Sequence, residues 1–290
     1  MNGLYRDMRE VLTGSMDSGE ARAVALLLLE KTCGLSTAEV LAGHDAAVPT
    51  DRHEEVMDMA RRVAKGEPVQ YVLGEADFCG LTLHVAPGVL IPRPETEELV
   101  RWVMEAPGSQ EHTGRPRLLD VGTGSGCIAI ALAHLLPEAE VEAWDVSEEA
   151  LQVARKNAER CGVSVCFRRV DVLEDADCEM NRGEHNESFD TIVSNPPYIC
   201  EEEAREMEAN VLAHEPRLAL FVPDDDPLLF YRRIATIALS RLKPQGRLFF
   251  EINRRFGHDT VQMLEQMGYT GVELRQDQFG NDRMVMAIKP

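Results

Sequence analysis

The residues whose types and spacing most clearly indicate a chemical reaction are Asn195-Pro196-Pro197-Tyr198, directly after the apolar run at 189–194. A planar –NH₂ group is a poor nucleophile because its lone pair is delocalised, so a catalyst must accept both hydrogens and leave the nitrogen facing an electrophilic carbon. The Asn195 carbonyl can accept one hydrogen, and the prolines, which lack an N–H, leave a backbone carbonyl to accept the other. Tyr198 offers a flat ring for packing. The motif predicts methyl transfer to an amide or amino group; the alternative is a Pro-Pro turn that only ends a buried strand.

A glycine-rich loop is the second candidate site. The apolar run 117–121 leads into Gly122-Thr123-Gly124-Ser125-Gly126 and then into a helical pattern, so a ligand can approach the backbone at a helix N-terminus. A dinucleotide fingerprint has its third glycine one position later, where this chain has Cys127. The tighter turn favours a ligand without phosphates, such as S-adenosylmethionine.

Two acidic residues follow the next two predicted strands. Asp145 lies where a carboxylate accepts hydrogen bonds from ribose hydroxyls, although it could instead cap the helix that begins near Glu148. Asp171 could accept from an adenine amino group, with Val172 against the ring, or it could have a structural role alone. These positions extend the predicted donor site.

A stiff loop precedes the glycine loop in the chain. Pro92 and Pro94 rigidify it, and acidic residues in the following helical turn are typical of a helix start. Capping alone would explain those acids. Arg93, Thr96 and Glu97 could also cover the donor.

The elements needed to position these motifs fall into two parts. Residues 4–65 have helical periodicity with cap-type residues before the segments. After the break at 66–68, the pattern predicts a hairpin over 76–79 and 81–85. We therefore expect an N-terminal helical domain over 1–74 that recognises the substrate, a β-hairpin linker over 75–86 and a catalytic domain over 87–290.

After residue 86 the chain alternates between strand and helix patterns. The segments are 117–121 then 126–136, 140–144 then 148–160, 164–170 then a polar break, 189–194 then 201–212, 227–242 then 246–252, and 258–267 before closing strands at 271–275 and 283–288. This order predicts an α/β fold with a parallel sheet covered by helices. The closing strands predict a hairpin and an antiparallel edge strand, and the acidic stretch 174–188 predicts a surface loop.

Composition narrows the function further. With 50 acidic and 30 basic residues the net charge is −20, which disfavours nucleic-acid binding because phosphate contacts require Lys and Arg. Seven cysteines without a Cys-x-x-Cys pair predict reduced thiols in a cytoplasmic protein, with neither disulfides nor a zinc site. No apolar run is long enough to span a bilayer, and no metal is expected.

Taken together, the motifs resemble those of the HemK/PrmC family, the release factor glutamine methyltransferases. The segments that carry the resemblance are 69–74, 91–97, 119–126, 195–198, 215–220 and 277–283, and it covers almost the whole chain. The Ile-Pro-Arg-Pro-Glu-Thr-Glu segment combined with Asn-Pro-Pro-Tyr is highly specific. The resemblance implies an N-terminal helical bundle, a short hairpin and a seven-stranded class I (Rossmann-like) methyltransferase sheet.

The resemblance also implies a reaction and its residues. The family uses S-adenosylmethionine to methylate the glutamine side-chain amide in the Gly-Gly-Gln motif of peptide chain release factors. Gly122 to Gly126 and Asp145 would then bind the donor, with Asn195 beside it, and Asn195 to Tyr198 would hold the glutamine, with Asn195 and Pro196 as the catalytic acceptors. This chain departs from the family pattern at Asn253, where relatives commonly have Gly, and at 222–226, where a Gly-rich stretch is usual.

Three other functions use parts of the same pattern. A nucleic-acid amino-methyltransferase would use the Asn-Pro-Pro-Tyr motif on a base. A nicotinamide-dependent oxidoreductase would use the glycine loop, against which Cys127 argues. A non-enzymatic module would retain donor binding for partner contacts alone.

Overall fold

A computed structural model describes residues 3–106, 114–174, 188–207 and 209–290 of the chain. The chain divides into two compact units, one of residues 1–75 with 208–214 and the other of residues 76–207 with 215–290. The first unit is helical and the second contains the sheet.

The helical unit is built from short amphipathic helices. Their bounds are α1 Leu4–Leu12, α2 Ser18–Cys33, α3 Thr37–Leu41, α4 Thr50–Ala64, α5 Val69–Leu73 and, later in the chain, α9 Ala209–His214, with a 3₁₀ turn at His44–Ala47. Leu4, Met8 and Leu12 recur every fourth residue along α1 and are all buried. They pack with apolar residues of α2 and α4 into one core.

Local capping sets the ends of these helices. The Asp17 carboxylate accepts from the backbone N–H groups of Gly19 at 2.7 Å and Glu20 at 3.1 Å, and α2 ends where Gly34 adopts a left-handed conformation. Ser36 and Glu39 form a reciprocal capping box at the start of α3. The helical character predicted for residues 4–65 is confirmed.

The second unit contains a seven-stranded, mostly parallel sheet in the order β10-β11-β9-β6-β3-β4-β5. Its strands are β3 Arg117–Val121, β4 Glu140–Asp145, β5 Cys166–Arg169, β6 Phe189–Ser194, β9 Leu242–Glu251, β10 Thr270–Gln276 and β11 Asp282–Ile288. Two small ladders, β1 Glu75–Phe78 with β2 Leu81–His84 and β7 Ile199–Cys200 with β8 Phe221–Val222, lie outside it.

Helices cover both faces of this sheet. They are α6 Pro94–Glu105, α7 Cys127–Leu135, α8 Glu148–Cys161, α11 Leu229–Arg241 and α12 Gly257–Gln266, and the short helix α10 Arg217–Leu220 precedes β8. Alternate residues of one strand face different cores, as Phe249 packs with α6 and α7 whereas Leu248 and Phe250 pack with α11 and α12. The predicted parallel sheet covered by helices is confirmed.

The predicted closing hairpin and its antiparallel edge strand are confirmed, because the edge strand β10 pairs antiparallel with β11. β11 takes the interior position, between β9 and β10, and is antiparallel to both. The reason is apolar burial: Met284 to Ala287 of β11 are buried, whereas β10 is mostly exposed or half-buried. The more apolar strand of the hairpin therefore takes the interior position.

The continuous helix predicted over 201–212 is wrong in its first half, because Glu201–Glu206 forms a 3₁₀ turn and only 209–212 lie in an α-helix, the separate α9. Three consecutive glutamates begin the segment, and each is drawn to a different partner: Glu201 to Arg217, Glu202 to Arg255, and Glu203 to the backbone N–H of Cys200. The predicted loop over 174–188 lies, apart from its end residues, outside the described residues. None of the described helices has the length and apolar character needed to cross a bilayer.

Candidate active site

The predicted site residues come together at one edge of the sheet. In the parallel strands β3, β4, β5 and β6, the carboxyl ends lie at the same edge, so the loops after them are neighbours. The chain runs outward from β3 to β5 and then crosses to β6 on the other side of β3, which creates the crevice where ligands bind in open α/β sheets. A Cβ on Gly122 would lie 3.9 Å from the Asn195 backbone oxygen, so the first and last of these loops are adjacent.

The glycine loop holds a conformation that side chains resist. Gly122, Gly124 and Gly126 have φ values of 74°, 55° and 85°, all in the left-handed region. A Cβ on Gly126 would lie 2.8 Å from Ile130 Cδ1 and 3.0 Å from Ala154 Cβ, so this glycine is required where α7 packs on α8. Around a Cβ on Gly124 there is no atom within 4 Å among the described residues, which leaves open space for a ligand.

Asp120, which sequence analysis did not select, lies directly beneath this loop. Its side chain is fully buried, and Oδ2 accepts from Thr123 Oγ1 at 2.6 Å and from the Ala129 N–H at 3.2 Å. Oδ1 is buried without a hydrogen-bond partner among the described residues. Burial raises the Asp120 pKa to about 7, against the lowering by the Thr123 and Ala129 hydrogen bonds. An acid near the end of β3, two residues before the first glycine, was a signal in the sequence that could have identified it.

Asp145 connects the end of β4 to the glycine loop. Its Oδ2 accepts from the Gly124 N–H at 2.8 Å and its Oδ1 from the Ser147 N–H at 2.8 Å. The helix-capping role that was the alternative for Asp145 belongs instead to Ser147, whose hydroxyl accepts from Ala150 N–H at 3.2 Å. Burial raises the Asp145 pKa, partly offset by these backbone hydrogen bonds.

Asp171 and Val172 follow β5 on the same edge. The Asp171 Oδ1 accepts from the Leu173 N–H at 2.9 Å, so this carboxylate shapes its own turn. The Val172 side chain packs against the core beneath α11, and its carbonyl accepts from Arg233 Nε at 2.6 Å. Both residues are only half-buried and lie one strand further from the glycine loop than Asp145.

The Asn195 side chain is held by a hydrogen-bond chain. Its Nδ2 donates to Thr96 Oγ1 at 3.2 Å, and Thr96 Oγ1 donates to Glu251 Oε2 at 2.7 Å. The Tyr198 hydroxyl donates to Glu251 Oε1 at 3.2 Å. Because the Asn195 –NH₂ group faces Thr96, its Oδ1 is the atom left to accept a further hydrogen bond.

Glu251, at the end of β9, is the buried centre of this cluster. Its side chain is 1% exposed, and burial raises its pKa, while Thr96, Arg283 and Tyr198 act in the opposite direction. Glu251 was not predicted as a site residue from the sequence. An acidic residue at the end of an apolar strand could have indicated one, because the site lies at the carboxyl ends of the strands. Burial also raises the Tyr198 pKa, so this hydroxyl remains a hydrogen-bond donor.

The departure at Asn253 adds support to the Asn195–Tyr198 bend. Asn253 is buried, and its Nδ2 donates to the Tyr198 carbonyl at 3.0 Å and to Glu203 Oε2 at 2.8 Å. The Tyr198 N–H donates to the Leu220 carbonyl at 3.2 Å. In the second departure, Asp224 accepts from the Glu202 N–H at 3.0 Å. Both departures therefore contribute anchors near the bend.

The structure separates the three residues expected to cover the donor. Thr96 is buried and hydrogen-bonds to both Asn195 and Glu251, as described above. Glu97 accepts from the Cys79 N–H at 2.8 Å and so ties α6 to the hairpin. Arg93 pairs with the buried carboxylate of Glu215, which also accepts from the backbone N–H of the Ile91 preceding the prolines. Of these three residues, Thr96 is the one with a described hydrogen bond to the Asn195 side chain.

Two family models match this chain, one near its N-terminus and one in its central part. The family model described as the PrmC N-terminal domain matches residues 4–74, and the methyltransferase small domain matches residues 107–220. A release factor glutamine methyltransferase from Bacteroides thetaiotaomicron is 47% identical over 287 residues, 99% of each chain. One with the same name from Flavobacterium psychrophilum is 40% identical and spans 95% of this chain and 94% of its own.

The chain belongs to the release factor glutamine methyltransferase family.

Among solved structures, a T. thermophilus 16S rRNA N2 G1207 methyltransferase in complex with AdoMet and guanosine is 21% identical in sequence to the present chain. The match has a TM-score of 0.52 and covers 74% of this chain and 50% of the other. At this identity the likeness concerns the fold alone. The predicted class I methyltransferase sheet and the predicted family are both confirmed.

Proposed function

We propose that this protein transfers a methyl group from S-adenosylmethionine to the side-chain amide nitrogen of the glutamine in the Gly-Gly-Gln motif of peptide chain release factors. The printed names of its relatives support the substrate, and the family models support methyl transfer. The observation that carries the proposal is the Asn195 amide, which Thr96 holds with its hydrogens turned inward so that Oδ1 is left for a substrate.

The donor half of the site fits this cofactor. Asp120 Oδ1 is buried and lacks a partner among the described residues, so a positively charged ligand above the loop would satisfy it. The open space at Gly124 admits a ligand to the backbone, and Asp145 lies where ribose hydroxyls can donate to a carboxylate. Asp171 and Val172 would border the adenine. Arg93 lies on the adjoining loop, where it would help to enclose the donor.

Methyl transfer then follows from positioning. When bound, S-adenosylmethionine supplies an electrophilic methyl group on its sulfonium. Asn195 Oδ1 and the Pro196 carbonyl accept the two hydrogens of the glutamine –NH₂, which directs the nitrogen toward that methyl group and stabilises the positive charge that develops on it. Pro197 keeps the bend rigid, and the Tyr198 ring packs on the flat carboxamide. As the N–CH₃ bond forms, the S–CH₃ bond would break to leave S-adenosylhomocysteine, and the nitrogen would lose one of its two protons to solvent.

Methylation of a nucleic-acid base is the competing function. It would use the same acceptors at Asn195 and Pro196, but the net charge of −20 opposes binding to a polyanion. A basic, Gly-Gly-Gln-bearing protein surface would be attracted instead. We therefore infer a protein substrate and no direct binding to nucleic acid.

The division of labour between the units is part of the proposal. Residues 1–74 would recognise the release factor, 75–86 would link, and 87–290 would catalyse. A substitution at the exposed Leu41, such as Leu41→Glu, should then lower kcat/KM on an intact factor more than on a short Gly-Gly-Gln peptide. Equal losses on both substrates would contradict this assignment. A translation substrate also supports a cytoplasmic location.

The experiment that tests the function is methyl labelling with site localisation. The purified protein is incubated with isotopically labelled S-adenosylmethionine and a release factor, and tryptic peptides are analysed by mass spectrometry. We expect label on the Gly-Gly-Gln glutamine. Parallel reactions with DNA and RNA at low salt test the competing function, and label on a base alone would overturn the proposal.

A further inference from the structure

A buried hydrogen-bond chain runs from the catalytic amide to an acidic residue that no step of the reaction uses. Asn195 Nδ2 donates to Thr96 Oγ1, and Thr96 donates to Glu251. Thr96 and Glu251 are 2% and 1% exposed, so water does not compete for these bonds. We propose that Glu251 is a positioning residue whose carboxylate, acting through Thr96, fixes which way the Asn195 side-chain amide faces. The inference rests on the proposed function, because it concerns the atom that accepts from the substrate amide.

The donor and acceptor capacity of each group determines the direction of both hydrogen bonds in this chain. A carboxylate only accepts hydrogen bonds, so the short 2.7 Å contact requires the Thr96 hydroxyl to donate to Glu251. A hydroxyl has a single hydrogen, and Thr96 therefore has only lone pairs to offer to Asn195. Those lone pairs select the –NH₂ side of the Asn195 amide. The opposite side, Oδ1, is then turned away from Thr96.

Reversing the chain would disable the site. A neutral group at position 251 could donate to Thr96, which could then donate to Asn195 Oδ1 and stabilise the flipped amide. The flipped amide would present –NH₂ to the substrate –NH₂. Two donors facing each other cannot form a hydrogen bond, and the glutamine nitrogen would lose one of its two acceptors.

The second contact to Glu251 has the same direction. The Tyr198 hydroxyl donates to Oε1 at 3.2 Å. Both carboxylate oxygens therefore accept, Oε2 from Thr96 and Oε1 from Tyr198. The Tyr198 hydroxyl remains protonated because burial raises its pKa. Glu251 therefore orients both the Asn195 amide and the Tyr198 ring through acceptor-only contacts.

The charge on Glu251 depends on the groups around it. Burial raises the Glu251 pKa and Glu95 acts in the same direction, whereas the Thr96 and Tyr198 hydrogen bonds and the Arg283 charge lower it. Buried Tyr231 and Cys127 also face it, and both remain neutral because burial raises their pKa values. Since the net pKa direction is upward, protonation begins at a higher pH than for an ordinary glutamate. Transfer should therefore fall on the acid side as the carboxylate is lost.

The first experiment compares near-isosteric variants in single-turnover assays on a Gly-Gly-Gln peptide at saturating donor. Saturation removes the separate titrations of Asp120 and Asp145, which act on donor binding. Glu251→Gln should slow transfer by about 10-fold to 10²-fold, as expected for a misoriented catalytic group, and should abolish the acid limb of the pH profile. Thr96→Val should slow transfer comparably. Thr96→Ser, which restores the hydroxyl, should recover most of that loss.

A matched control uses the other buried carboxylate near the site. Glu215→Gln disturbs the pair with Arg93 but lies outside the Asn195 chain, so its pH profile should retain the acid limb. A structural defect common to buried carboxylates would change both profiles in the same way. Loss of the limb in the Glu215 variant would contradict the assignment to Glu251.

The second measurement does not depend on activity. In ¹⁵N-labelled protein, the Asn195 side-chain –NH₂ resonances, assigned with Asn195→Asp, should shift as Glu251 titrates and should not titrate in Glu251→Gln. This readout remains valid if the wild-type protein fails to methylate the peptide, which would instead refute the proposed function. Wild-type rates and an unchanged pH profile in Glu251→Gln, or amide resonances that titrate identically in both proteins, would overturn the inference.

Discussion

The two halves of the site are built by different means. The donor half is formed largely by neighbours in sequence, since Asp120, Thr123 and the glycine loop lie within ten residues, and Asp145 and Asp171 are added from the ends of β4 and β5. The acceptor half joins residues that are far apart, because Thr96 is 99 positions from Asn195 and 155 from Glu251. Backbone conformation shapes the first half, and side-chain hydrogen bonds orient the second.

This difference has a physical consequence. A site shaped by backbone conformation fails through strain, which affects folding and ligand binding together. A site oriented by side-chain hydrogen bonds fails through misdirected donors and acceptors, which affects the rate while the fold remains. Substitutions in the two halves should therefore produce different kinds of defect.

The largest effect is expected from removing the acceptor itself. Asn195→Ala should slow single-turnover transfer by about 10²-fold or more, as for the loss of one preorganised polar group in an active site. Donor affinity, measured by calorimetry, should change much less. The exposed amide Gln152 on α8 provides a control, since Gln152→Ala should leave the rate unchanged. A wild-type rate of single-turnover transfer in Asn195→Ala would show that Asn195 does not act as an acceptor in the reaction.

The second prediction tests the donor half with two glycines. Gly126→Ala should lower the free energy of unfolding by about 2 kcal/mol, because a Cβ would lie 2.8 Å from Ile130 Cδ1 at a φ of 85°. Gly124→Ala introduces backbone strain but no contact within 4 Å among the described residues, so it should cost about 1 kcal/mol. Urea denaturation measures both. Equal losses would show that packing at Gly126 does not matter.

These two predictions also indicate what the sequence could reveal. Most strands and helices, the family and the glycine loop follow from local patterns, and so does the position of Asn195 after β6, whereas the 3₁₀ turn at Glu201–Glu206 does not. The order of β10 and β11 depends on their relative burial, and the partners of Asn195 depend on which distant loops meet at the sheet edge. Thr96 was noticed as part of a covering loop, but its contact with Asn195 requires the tertiary structure.

The third prediction concerns the pH dependence of donor binding. Asp120 has its pKa raised to about 7 by burial, so the carboxylate that would attract a cationic donor is progressively lost below that pH. The dissociation constant for S-adenosylmethionine should therefore rise as pH falls below 7, by at most about tenfold per pH unit. The Asp120→Asn variant should bind S-adenosylmethionine more weakly than the wild-type protein at pH 8. Its dissociation constant should then change little with pH until Asp145 titrates.

The same group has the opposite effect on folding. Because the folded-state pKa of Asp120 is raised, its contribution to stability is fully present below the unfolded pKa of about 3.9 and is lost as pH rises through about 7. In the absence of donor, Asp120→Asn should therefore raise the Tm at pH 8 relative to the wild-type protein. A lower Tm at that pH would show that Asp120 is not a strained group in the free protein.

The smallest effect is expected at the edge of the donor half. Asp171 is half-buried and its Oδ1 already accepts from the Leu173 N–H, so a hydrogen bond to adenine would add little. Asp171→Asn should weaken donor binding by about threefold, and Asp145→Asn should weaken it more. Calorimetry on the two variants distinguishes them, and a reversed order would move the donor toward β5.

The most direct test of the account is a crystal structure with a Gly-Gly-Gln peptide and S-adenosylhomocysteine. The account predicts that the glutamine side-chain nitrogen lies within hydrogen-bond distance, about 2.7–3.2 Å, of both Asn195 Oδ1 and the Pro196 carbonyl. It also predicts that this nitrogen faces the sulfur of the bound product. A peptide glutamine that contacts other groups, with Asn195 Nδ2 turned toward it or away from the site, would contradict the account.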